Sequence, residues 1–212
     1  MTSELSVREA ESAQATKDLV FETAERLFAL HGFQKVSVRD ITAEAGVNLA
    51  SVNYHFGSKD ALLFEIFRTR AGELNRERVR LLREAGERPA PREVLRALFA
   101  PPLRWSDPGH PRWIAMQFIL RARTEGTREM RESIQSDVSH LQHFADALMA
   151  ARPDLPRETV YWRLHFALGM VHNNRFLEFD RLAHLSRGLT RQTAASALLE
   201  QMLDFAEAGF RA

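Results

Sequence analysis

Apolar residues recur at intervals of three and four along most of the chain. From Thr16 to His31 the apolar positions are Leu19, Val20, Ala24, Leu27, Phe28 and Leu30, with Lys17, Asp18, Glu22, Glu25 and Arg26 between them. That pattern predicts an amphipathic helix, and Gly32 supplies the residue that stops it. Ser37 follows as an N-cap with Asp40 three residues on, a shortened capping box. A brief helix over 38–45 turns Ile41 and Ala45 inward and ends at Gly46. Asn48 caps a third helix over 49–55, where Val47 and Val52 have the spacing of a hydrophobic staple. Ser58 caps a fourth that runs to Glu84.

Breakers divide the remainder. Ala85–Pro91 (AGERPAP), Asp107–Pro111 (DPGHP), Arg152–Pro156 (RPDLP) and Arg187–Thr190 (RGLT) are loops, and Pro101-Pro102 is expected to end a helix begun near Arg92. Helical patterns fill 112–124, 127–151, 157–183 and 191–209. No segment alternates with period two between turn dipeptides, so strands are not expected. The prediction is an all-α protein of about nine helices. Residues 1–14 form a disordered tail, 15–62 a three-helix head, and 63–212 a larger helical domain.

Composition narrows the function classes. With 212 residues and 45% hydrophobic content the chain can build a packed core. Cysteine is absent, which removes disulfides, thiolate metal sites and thiol nucleophiles together. The longest apolar run, Trp113–Leu120, is too short for a membrane span. The first 14 residues are polar and acidic, with neither a signal peptide nor an anchor pattern. A cytoplasmic protein without membrane contact is therefore expected. The net charge is +1, and residues 1–60 carry six basic groups against nine acidic ones. Global charge thus gives no argument for a nucleic-acid partner, and any duplex must be held by a few placed cations and oriented amides. No Gly-x-Ser-x-Gly elbow, glycine-rich phosphate loop or His-Glu-x-x-His motif is present. No enzyme, cofactor or metal is expected, since His140, His143, Asp137 and Asp146 specify no third ligand with metal geometry.

Two short helices joined by Gly46-Val47-Asn48 leave two readings open. One is a helix-turn-helix whose second helix enters the major groove, with Ala45 small at the crossing and Gly46 tolerant of left-handed geometry. The other is a plain three-helix bundle in which Tyr54 and His55 merely pack. The stretch Phe33–Leu62, containing AEAGVNLASVNYHFGSKDALL, resembles the DNA-binding segment of the TetR family of transcriptional repressors. Its most specific part is Tyr54-His55-Phe56, Ser58-Lys59 and Ala61-Leu62. The resemblance implies double-stranded DNA as partner and the following roles. Ser51, Tyr54 and His55 match positions that bond the DNA backbone. Ser37 and Arg39 match positions that touch phosphate or a neighbouring base, and Lys59 a phosphate holder at a helix N-terminus. Leu49, Ala50 and Asn53 lie where the family reads base edges, with Asn48 opening that helix. Asparagine pairs bidentately with adenine, and Ala or Leu meets a thymine methyl. Many relatives carry an aromatic in place of Asn53. Phe33, Val36, Val38, Ile41, Val47, Val52, Phe56 and Leu62 are read as core.

A single head reads few base pairs, so the reading requires a homodimer. Between Thr159 and Phe179 one face carries Val160, Leu164, Ala167, Leu168 and Val171, and the other Trp162, Phe166, Gly169, Met170 and Phe176. A helix apolar on both sides is buried on both sides. With Ala194, Ala197, Leu198, Met202, Phe205 and Ala208 it suggests a four-helix interface, for which Trp162, Gly169, Leu198, Met202 and Phe205 are the candidates. Use of both helices in a monomer core is the alternative. Polar groups on apolar stretches mark an effector pocket at Trp113, Gln117, Phe118, Arg121, Phe144, Phe166, Met170 and Asn173, although Arg121 could instead pair with Glu125 at i, i+4. The alternating Arg and Glu residues from Arg68 to Arg83 are read as the solvated face of the fourth helix. The segment WRLHFALG (Trp162–Gly169) is similar to a branch of the family that senses long-chain fatty acyl compounds, which implies a fatty acid or acyl-CoA effector. The expected function is a ligand-released repressor. A helical interaction module and a small α-helical enzyme are the alternatives.

Overall fold

The computed structural model describes residues 2–173, 180–190 and 194–211. Over these it contains eleven helices and no strand: α1 (Thr2–His31), α2 (Val38–Ala45), α3 (Leu49–Phe56), α4 (Lys59–Glu84), α5 (Pro91–Trp105), α6 (Trp113–Glu125), α7 (Arg128–Ser136), α8 (Ser139–Ala151), α9 (Arg157–Asn173), α10 (Asp180–Leu185) and α11 (Ala195–Arg211).

Three boundaries differ from the sequence expectation. The disordered tail expected over 1–14 is helical from Thr2, because nothing between Thr2 and Thr16 breaks a helix and Glu, Ala, Leu, Arg and Gln sustain one. The helix expected over 127–151 is interrupted at Asp137-Val138. There Ser136 Oγ bonds back to the Glu132 carbonyl and Ser139 Oγ to Asp137, local bonds that compete with the helical ladder. Pro101 and Pro102 do not end α5, which continues to Trp105. Pro102 has no N–H to give the Leu98 carbonyl four residues back. The buried Arg78 supplies the missing donor from its Nε at 3.0 Å.

Contacts divide the chain into two compact units: residues 1–71 with 114–136, and residues 72–113 with 137–212. This is not the single boundary after Leu62 that the sequence suggests. In the first unit α1, α2 and α3 pack on one another around Val20, Ala24, Phe28, Ile41, Val52 and Leu62. α6 and α7 complete that core with Phe118, Ala122 and Met130. Of the residues read as core, Phe33, Val36, Ile41, Val52, Phe56 and Leu62 are buried, and Val38 and Val47 half-buried.

In the second unit α5 packs on α8 and α11, and α9 on α8 and α11. Leu95, Leu98, Phe99, Phe144, Leu148, Val160, Leu203 and Phe210 are its interior. Arg92 of α5 bonds Glu200, Asp204 and Glu207 along α11, and Arg96 adds a bond to Glu200. On α4 the arginine row is only partly solvated. Arg68, Arg76, Arg80 and Arg83 are exposed, whereas Arg78 is buried and Arg70 forms a bidentate pair with the buried Glu25 at 2.8 and 2.7 Å.

Candidate nucleic-acid interface

Local chemistry sets each end of the two short helices. Ser37 has extended backbone, its hydroxyl accepts the Asp40 N–H at 3.2 Å, and the Asp40 carboxylate accepts the Ser37 N–H at 2.8 Å. The shortened capping box of the sequence is therefore complete. The Ser37 backbone N–H, then its hydroxyl, hold the Asp40 carboxyl below its usual range. Gly46 sits at φ 65°, ψ 30°, where its N–H reaches the Ala43 carbonyl and the Val47 N–H reaches Thr42 at 3.0 Å. Together they form a Schellman closure that α2 provides from its own residues. Any side chain at Gly46 would be strained by that φ. Asn48 then caps α3, its Oδ1 accepting the Ala50 N–H at 2.9 Å.

Gly57, at φ 79°, ends α3 with its N–H on the Asn53 carbonyl at 3.0 Å, and between these caps α3 buries Val52 and Phe56 and turns its other side outward. Ala50, Asn53 and Tyr54 are exposed, Tyr54 to 81% and Leu49 to 42%, while Ser51 and His55 are half-buried. A tyrosine left so open packs only along its own helix, edge to face with His55 at 4.9 Å. The plain-bundle alternative, in which Tyr54 is a packing residue, is thereby disfavoured. Ser37 and Arg39 are exposed at the start of α2. Lys59 opens α4 behind the Ser58 cap, with Nζ 5.7 Å from the centre of the Phe28 ring. Asn48 differs from its neighbours, since its side-chain oxygen is occupied by the cap.

Residues 20–66 match the family model of bacterial regulatory proteins of the tetR family, and residues 96–209 match the tetracyclin repressor-like C-terminal domain. The chain belongs to the TetR family of transcriptional regulators. It is 36% identical over 113 residues to the HTH-type transcriptional regulator BetI of Agrobacterium fabrum, covering 51% of this chain and 52% of that protein. The chain thus spans about half the length of this curated relative. In fold it is similar to the fatty acid degradation regulator FadR of Bacillus halodurans, with a TM-score of 0.66 at 19% identity over 92% of this chain and 96% of that one. A TetR-family regulator of Bordetella parapertussis gives 0.63 at 18% identity over 90% and 93%. TetR-family members are DNA-binding regulators and not enzymes.

Of the residues expected to line an effector pocket in this TetR-family chain, Gln117, Phe118 and Arg121 belong to the first unit and Trp113, Phe144, Phe166 and Met170 to the second. Phe118 is fully buried in the first unit, 4.9 Å from the Phe33 ring and 6.4 Å from Phe28. Arg121 is engaged with Glu125 at 2.7 Å and with the Ala29 and Leu30 carbonyls. The i, i+4 pair is the outcome, and the Arg121 guanidinium is committed to these three partners. Gln117 is half-buried. In the second unit Phe144 is interior and Phe166 is 64% exposed. Trp113 keeps its Nε1 buried without a hydrogen-bond partner, and Met170 is half-buried. The Asn173 side chain and Phe176 lie outside the described residues. An apolar stripe with one polar interruption looks the same in sequence whether it faces a core or a cavity, which is why periodicity could not separate them.

The dimer candidates also divide. α9 buries Val160, Leu164, Ala167 and Val171 and leaves Tyr161, Trp162 and Phe166 exposed, with the Trp162 and Phe166 rings stacked at 5.9 Å. Gly169 and Leu198 are half-buried and Phe205 is 74% exposed. Met202 is 3% exposed and belongs to the interior with Leu203, Ala206 and Phe210. Around α11 the buried side runs through Met202, Leu203, Ala206 and Phe210, and Phe205, about 60° from Met202 on the side away from Leu203, falls outside it. Among the described residues no helix is long and apolar enough to cross a membrane, and no three His, Asp or Glu side chains converge as metal ligands.

Proposed function

We propose that the chain is a transcriptional repressor that binds a palindromic duplex operator as a homodimer and is released by a small lipophilic effector. The observation that carries the reading is the α2–Gly46–α3 unit. It is capped at each end by its own residues and presents Leu49, Ala50, Asn53 and Tyr54 to solvent. Phosphate contacts from Ser37, Arg39, Ser51, Tyr54, His55 and Lys59 set the register, and Leu49, Ala50 and Asn53 read base edges. Asn48 acts through its cap, orienting the first amides of α3. Residues 15–62 carry the DNA contacts, and 63–212, of which 114–136 pack into the same unit as that head, supply effector binding and pairing.

Pairing is supported by the bare aromatic face of α9. Tyr161, Trp162 and Phe166 of α9 and Phe205 of α11 are exposed large side chains, with the Trp162 and Phe166 rings stacked on one another. A two-fold pair sets its reading helices about 34–36 Å apart, one turn of the duplex. The effector class rests on the likeness of Trp162–Gly169 to the fatty-acyl-sensing branch and on the fold shared with a fatty acid degradation regulator. Trp113 and Met170 remain its candidate contacts in the second unit.

Selection of wild-type protein on a random duplex library tests the reading, with a palindromic consensus expected. Lys59→Ala should weaken every selected site and lower the salt slope by about one, while Asn53→Ala should relax preference at one position of each half-site. Phe166→Glu should abolish the paired half-sites. If the first two variants bind in a salt titration as wild type does, the contact assignment is wrong.

A further inference from the structure

α1 does not close its own C-terminus. Gly32, at φ 93°, sends its N–H to the Phe28 carbonyl at 3.0 Å, the single bond of a left-handed cap. The carbonyls of Ala29 and Leu30 and the N–H of Phe33 then need partners from elsewhere. All three are taken by α6. Arg121 donates from Nε to Ala29 at 2.7 Å and from Nη2 to Leu30 at 3.2 Å, and the Glu125 carboxylate accepts the Phe33 N–H at 2.7 Å. The two side chains lock each other through the 2.7 Å bond between Arg121 Nη1 and Glu125 Oε1. A Cβ on Gly32 would stand 3.0 Å from Glu125 and 3.3 Å from Arg121, so the clasp fits closely over a bare glycine. Beneath it Phe118 fills the space beside Phe28 and Phe33.

We propose that Arg121 and Glu125 are positioning residues for DNA recognition, acting by capping α1 from α6. The clasp grips the point where the chain leaves α1, and four residues after Phe33 the N-cap Ser37 leads into α2. The direction of that exit fixes where the capping box, and so α2 and α3, must lie. Neither residue touches DNA in this account. Burial opposes ionisation of Glu125, but the Phe33 N–H and the Arg121 guanidinium outweigh it and hold the carboxyl below its usual value. The clasp is accordingly charged at neutral pH.

The inference rests on the DNA-binding reading, and one experiment separates them. The full chain and its Arg121→Met, Arg121→Lys and Glu125→Gln variants are titrated, at matched folded fraction, on the duplex that wild type selects from a random library. Expected is an affinity loss of about tenfold or more for Arg121→Met, since 1.4 kcal/mol is tenfold. The log-salt slope should not change, because no phosphate contact is removed. Arg121→Lys should recover little, because an ammonium cannot span two carbonyls and a carboxylate as the planar fork does. Glu125→Gln should lie between, with faster hydrogen exchange at the Phe33 amide. Wild-type affinity in Arg121→Met and Glu125→Gln overturns the proposal alone, and so does a reduced salt slope. Failure of wild type to select any duplex overturns the DNA-binding reading and this proposal with it.

Discussion

Replacing Arg70 by methionine tests whether α1 and α4 are joined by a buried charge pair. Arg70 and Glu25 are 13% and 7% exposed at their side chains, and their two bonds are 2.8 and 2.7 Å long. Methionine keeps most of the stem packing of arginine but leaves the Glu25 carboxylate without its guanidinium. Breaking one side of such a pair costs about 3–5 kcal/mol. The 13% exposure of Arg70 admits some water, so about 3 kcal/mol is expected. Loss of the guanidinium lying 5.1 Å over the Phe21 ring adds about 0.5–1 kcal/mol. Together these are about 3.5–4 kcal/mol, which for a chain of this length lowers Tm by roughly 7–16 °C. The control is Glu25→Leu combined with Arg70→Met, which removes both desolvation costs and should fall within about 1 kcal/mol of wild type. The assay is guanidinium denaturation followed by circular dichroism at one fixed protein concentration, since self-association would otherwise shift the midpoint. A double variant whose loss equals the sum of the single losses would refute the reasoning, because independent sites add and coupled ones do not.

Arg78→Met should destabilise by about 1–3 kcal/mol, as the Leu98 carbonyl loses its donor inside the second unit. Adding Pro102→Ala, which restores a helical N–H for that carbonyl, should recover part of the loss in the same denaturation assay. His140 gives a pH signature. Burial first, then Arg78 and His143 against the opposing Asp137, hold it at about 4, below its usual 6.5. The unfolded chain therefore takes up this proton first as pH falls. The stability it contributes is fully present above about 6.5 and declines between 6.5 and 4. His140→Gln should flatten the denaturation midpoint by one proton's slope across that interval, and an unchanged pH profile would refute the assignment.

How much could be read in advance differs from helix to helix. α2 and α3 carry their own stops: Ser37 with Asp40, Gly46 with Val47, and Asn48 with Ala50 are all within a few residues. Local hydrogen bonds of this kind are written into adjacent letters, so the ends of both helices and the outward face of α3 were legible. The two-sided character of α9 was legible too, because a helical period assigns faces regardless of what covers them.

Sequence by itself thus determined the all-helical class, the capped α2–Gly46–α3 unit and the apolar character of α9, each a property of neighbours along the chain. Tertiary structure alone decided that Arg121 and Glu125 cap α1 across some ninety residues, that Phe118 belongs beside Phe33, and that Arg78 mends the ladder broken by Pro102. It also decided that Arg70 turns in while Arg68 turns out. A polar side chain inside an apolar stripe must find a partner, but periodicity names only the face on which it waits. The identity of the partner depends on which distant helix folding brings within about 3 Å.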